Sequence, residues 1–140
     1  MRIGPAIFLG GFLIIAATGS AHACSCGRNP TAAGLLESSA AVFTGVAQST
    51  VAVGPGISMT TFKVTEAFKG VRTGRIVRVR HRSGSSASCG VQFALGEAHT
   101  LSAGGDASGF SANLCSAWMF LPQVGLGADL IAQIRALRRR

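Results

Sequence analysis

Apolar and polar residues alternate with a period of two through much of the chain between Ala41 and Arg82, and that alternation predicts strands. The first runs from Ala41 to Val53, with Val42, Thr44 and Val46 on one face and Phe43 and Gly45 on the other. A glycine inside a strand marks a bend or a bulge, so the ladder is expected to break at Gly45. Gly54-Pro55-Gly56 turns the chain into a second strand, Ser58 to Phe68, where Phe62, Val64 and Glu66 alternate with Lys63, Thr65 and Ala67 before Lys69-Gly70 ends it. A third strand, Arg75 to Arg82, places Val77, Val79 and His81 on one side and Ile76, Arg78, Arg80 and Arg82 on the other. Beyond a flexible loop at Ser83 to Ser88, Val91 to Leu95 and His99 to Ala103 read as short strands. Gly104 to Gly109 reads as a turn and Phe110 to Cys115 as a last strand.

The period changes towards both ends. Thr31 is placed to cap a short helix running through Glu37 that turns Leu35 and Leu36 inward. From Gly127 onward, Leu130, Ile131, Ile134 and Leu137 recur at helical spacing and predict a carboxy-terminal amphipathic helix that covers one opening or side of the strands. Short strands joined by glycine-rich turns predict a mainly β fold, a small closed or nearly closed antiparallel barrel with flanking helices.

Ahead of this pattern, Arg2 and an apolar run of about ten residues, Ile7 to Ala17, lead to Ala21-His22-Ala23, the small-x-small form of a cleavage site. Residues 1–23 are therefore expected to be a secretory signal, and residues 24–140 a single domain that is exported, periplasmic or extracellular, and not transmembrane. All four cysteines, Cys24, Cys26, Cys89 and Cys115, follow the signal. In an oxidising compartment two disulfides are the default, with three connectivities open. Cys24 and Cys26 are poorly placed to bridge each other, so each is expected to reach into the body of the fold. Four thiolates around a structural zinc are the competing account; the C-x-C spacing and the isolated Cys89 and Cys115 argue against it, and no intrinsic metal or cofactor is expected. Lipidation of Cys24 fits poorly, because Ala21 and His22 stand where a lipoprotein signal carries apolar residues.

Lysine and arginine number 13 against five acids, a formal charge of +8. Such an excess favours polyanions or an anionic membrane surface as partners. Lys69, Arg72, Arg75, Arg78, Arg80 and Arg82 crowd one stretch, and Arg135, Arg138, Arg139 and Arg140 another, where they offset a helix dipole. On alternate strand residues the guanidiniums of Arg78, Arg80 and Arg82 form a comb about 7 Å apart, suited to phosphate or sulfate groups on anionic glycans or lipids. Aromatic residues do not interleave this row, and export removes most such partners, so nucleic acid is not expected. A solvated edge guarding against strand addition is the plainer reading of the row.

Taken in order, Cys24-Ser25-Cys26, Ala41-Val42-Phe43-Thr44-Gly45, Phe62-Lys63-Val64 with Phe68-Lys69-Gly70, Ser88-Cys89-Gly90-Val91, Gly96-Glu97 and Leu114-Cys115-Ser116 resemble the tissue-inhibitor-of-metalloproteinases-like, netrin-like domains. The resemblance implies a five-stranded OB-type barrel and disulfides joining Cys24 to Cys89 and Cys26 to Cys115. It further implies inhibition of a zinc metalloprotease, with the free amine and carbonyl oxygen of Cys24 chelating the target's zinc and Ser25 entering the adjoining specificity pocket. The third bridge of the animal inhibitors is missing. Ala98-His99-Thr100 stands where relatives commonly carry a tyrosine-containing strand, so this strand is expected to be weaker.

An enzyme is not expected. After the signal the histidines are His81 and His99 alone, no serine sits in a nucleophile-elbow pattern, and the acids are scattered without metal-ligand spacing.

Overall fold

The structure is a computed structural model that describes residues 24–27, 30–85, 88–106, 108–121 and 125–139. The expected secretory signal therefore lies outside the described residues. The elements in chain order are α1 (Ala32–Ser38), β1 (Ala41–Gly54), β2 (Ile57–Lys69), β3 (Ile76–Arg82), β4 (Ala98–Asp106), β5 (Gly109–Ala112), α2 (Leu114–Trp118) and α3 (Gly127–Arg138). The strands close into a barrel in the order β1-β2-β3-β5-β4, an OB-type barrel flanked by helices.

Four of the five strand pairings are antiparallel, and the fifth, between β3 and β5, is parallel. The closed antiparallel barrel expected from the sequence is present, with this one parallel junction, and the reason for the junction is parity. Strand directions cannot alternate all the way round a closed ring of five. One neighbouring pair must run the same way, and it falls where β4 is skipped.

Two apolar clusters hold the ring. Phe43, Phe62, Val64, Val79 and Leu101, each no more than 1 % exposed, fill the barrel interior. On the outside, Val42 and Phe68 pack with Leu35 of α1, Met119, and Leu130 and Ile134 of α3. Ala41, Val42 and Phe43 are thus buried on both faces of β1, one row against the barrel contents and the other against the helices. The terminal helix covers a side of the barrel; Leu137, expected inward, is 40 % exposed.

Local chemistry accounts for the breaks. The β1–β2 register shifts between Thr44 and Gly45, where a Cβ on Gly45 would crowd the Lys63 carbonyl at 3.1 Å and Phe62 at 3.2 Å. Gly70 ends β2 at φ +74°, against the backbone of Ala40 and Ala41. The Thr31 hydroxyl caps α1 by accepting the Gly34 N–H at 3.1 Å.

Two predicted strands are corrected. Val91 to Leu95 forms no strand; Val91 and Phe93 instead turn inward against the core. Phe93 meets Phe62 at 5.0 Å and His81 at 5.1 Å between ring centroids, both edge to face. Alternate apolar residues were needed here to fill space rather than to form a ladder. Phe110 to Cys115 is strand only to Ala112, because Asn113 starts a helix: its side chain accepts the Ser116 N–H at 3.2 Å while Ser116 Oγ accepts the Asn113 N–H at 3.0 Å. The expected turn at Gly104 to Gly109 is shortened, since β4 continues to Asp106.

Candidate functional site

Two regions gather the residues that the sequence singles out. The first is built from the cystines. Cys24 is bonded to Cys89 across 65 residues and Cys26 to Cys115 across 89, with Cα atoms 5.5 and 5.2 Å apart. All four sulfurs are joined in pairs, which removes the structural-zinc account of them. Cys89 sits in the left-handed region at φ 59°, and its carbonyl accepts the Leu114 N–H at 3.3 Å, so its loop and the start of α2 are tied together. Cys115 lies in α2 itself. The short segment Cys24-Ser25-Cys26 is consequently fixed at two points on different parts of the domain, its cysteines half-buried and Ser25 exposed between them. Gly90, Leu114 and Ala117 near these bridges border an open cleft of about 370 Å³ that Phe93 and His99 also line.

The two histidines differ in their surroundings. His81 is buried at 3 % exposure, with Nδ1 3.2 Å from the Arg82 carbonyl and Nε2 2.8 Å from Thr60 Oγ1. A carbonyl only accepts, so Nδ1 donates to it, and Nε2 is linked through the Thr60 hydroxyl to that of Thr50, 2.7 Å further on. His99 donates from Nε2 to the Ala94 carbonyl at 3.0 Å, and its ring meets Phe93 at 5.3 Å. With these contacts β4 forms six register pairs with β1, a fully paired strand where a weaker one is expected.

The second region is the basic face. Val79 and His81 point into the barrel, and Arg78, Arg80 and Arg82 are exposed on its outside. They do not form an edge: β2 pairs with β3 on one side and β5 on the other. Protection against strand addition therefore fails as the reason for the row. Arg75 precedes β3 and, with Arg72, lines a hollow of about 430 Å³; Arg78 and Arg80 line another of about 460 Å³. Phe110 of β5 borders both hollows. Its register partner is the inward-pointing Val79 and it packs against the barrel core, while Ser111 is the residue in register with Arg80. The sequence hides this junction, because a parallel pairing of segments thirty residues apart leaves no local signal.

Three further cations have structural partners. Arg135 of α3 grips Glu66 of β2 with two hydrogen bonds, Nε to Oε1 at 2.8 Å and Nη2 to Oε2 at 2.6 Å. The pairing holds the Glu66 carboxyl below its usual range. Arg138 donates to the Ala67 carbonyl, and Lys69 to the Leu36 carbonyl at the end of α1. Asp106 is likewise held below the usual carboxylate range by the hydroxyl and backbone N–H of Ser108.

Among the described residues no helix is long and apolar enough to cross a membrane. The two disulfides are compatible with an exported domain. Compared with known proteins, the chain matches no family model and no curated sequence.

Proposed function

We propose that this is an exported binding domain of the tissue-inhibitor-like, netrin-like class, not an enzyme, that meets its partner through Cys24-Ser25-Cys26. The observation that carries the reading is the double fixing of that segment, with Ser25 exposed between two anchored cysteines. A segment already immobilised loses little freedom on binding, so its contacts are offset by little ordering cost. Removal of residues 1–23 would turn the Cys24 nitrogen from an amide, which has no available lone pair, into an amine. That amine and the Cys24 carbonyl oxygen would then take the open position on the catalytic zinc of a target metalloprotease and displace the water that attacks substrate. The Cys24 sulfur, bonded to Cys89, cannot compete for the metal. An α-amine with a pKa of about 8 is unprotonated in a useful fraction at neutral pH. The burial of His81 and the pairing of all four sulfurs support a non-enzymatic role.

The test compares a chain beginning at Cys24 with one carrying an extra alanine before it, against a panel of zinc proteases. Inhibition is expected from the first and lost in the second, whose Cys24 nitrogen is again an amide. Equal inhibition by both, or none by either, would exclude chelation through the terminal amine.

A second reading is favoured by the position of β3. Arginines at the middle of a closed sheet serve no edge, and Arg78, Arg80 and Arg82 make no ion pair among the described residues. The basic face would then hold anionic glycans or lipids.

A further inference from the structure

We propose that the outer face of the β1–β2 hairpin and β3 docks on an anionic phospholipid bilayer, with a headgroup phosphate held between Arg78 and Arg80. This rests on the second reading above and narrows its partner to one class. Ser58, Thr60, Val79 and His81 are buried, so the alternate residues Met59, Arg78, Arg80 and Arg82 project outward on one surface. Register aligns Val51 with Met59 and Met59 with Arg80 in a single row across three strands, and sets Ile57 opposite Arg82. At a strand spacing of about 4.8 Å, Met59 stands roughly 5 Å and Val51 roughly 10 Å from Arg80.

Val51 and Val53 are 56 % and 46 % exposed, on an arm where water-facing positions would ordinarily be polar. A sulfated glycan or a nucleic acid would satisfy the arginines and leave these valines in water. A bilayer satisfies both: acyl chains take the aliphatic row, and headgroups take the guanidiniums, whose stems lie along the apolar surface. The hollow of about 460 Å³ lined by Met59, Arg78, Arg80, Ser108, Phe110 and Ser111 has the size of a small-ligand site and offers two guanidiniums to one phosphate. Asp106 is in register with Gly109, which also lines the hollow, and its Oδ1 is taken up by Ser108.

The experiment is co-sedimentation of the exported protein with phosphatidylcholine vesicles, with and without phosphatidylglycerol, run beside retention on a sulfated polysaccharide column. Binding is expected only where phosphatidylglycerol is present. Changing Arg78, Arg80 and Arg82 together to Ser should weaken it about a hundredfold, taking each arginine at its usual contribution near an anionic surface. Val51→Thr with Val53→Thr, which keeps the strand's β-branched character, should weaken it about tenfold while leaving column retention unchanged. Because all variants share the same first residues, any contribution of that segment cancels. Failure to bind phosphatidylglycerol vesicles, or binding indifferent to the valine changes, overturns the bilayer assignment. If column retention through the arginines persists in that case, the broader reading of the basic face stands. If retention is lost too, both fall.

Discussion

Thr60 is buried completely, yet its hydroxyl makes two hydrogen bonds, and through it Thr50 and His81 are joined across three strands. Burial of polar atoms is tolerable there because each finds a partner. The alternation of β2 places Thr60 inward but cannot say that His81 will meet it. The same limit applies to the arginines, whose spacing was legible although the pairing of Arg80 with Ser111 was not. Glu66 offers a direct measurement. Its folded pKa lies below the ordinary value for a glutamate, so the stability from its bond to Arg135 is present above that ordinary value and is lost as pH falls through the folded pKa. Glu66→Gln should therefore lower the thermal midpoint slightly at neutral pH and bring the two proteins together in acid. Parallel acid limbs would show that the pair contributes nothing.

At the level of elements, the strands that were legible are those whose alternation serves a ladder, and those misread use the same pattern otherwise. Val91 and Phe93 alternate because both fill the barrel mouth, while their backbone makes few strand-type bonds. α2 has five residues, too few for helical periodicity to show, and is announced only by Asn113 and Ser116. Removing that announcement is the way to weigh it. Asn113→Ala should cost about 1 kcal/mol of stability, read as a lower denaturant midpoint at unchanged slope. No change would mean that the bridge at Cys115, not the cap, holds the helix. The Thr31 cap and the spacing of Leu130 and Ile134 were readable because their partners lie within one helix.

For the whole molecule the decisive feature is ring closure. The β3–β5 junction consists of three register pairs, Val79 with Phe110, Arg80 with Ser111 and His81 with Ala112, against seven between β2 and β3. Three residues beyond Ala112, Cys115 is bonded to Cys26. Changing Cys26 and Cys115 together to Ser should lower stability by roughly 4 kcal/mol in the chain-entropy model. It should also speed hydrogen exchange at the amides of Phe110, Ser111 and Ala112 ahead of the other strands. Uniform acceleration throughout the barrel would place the weak point elsewhere. A hoop with a three-rung seam beside a sulfur rivet draws tight only once an oxidant has set that rivet. Were the polypeptide exported as proposed, it would be threaded through its channel slack and take up its final form on the far side.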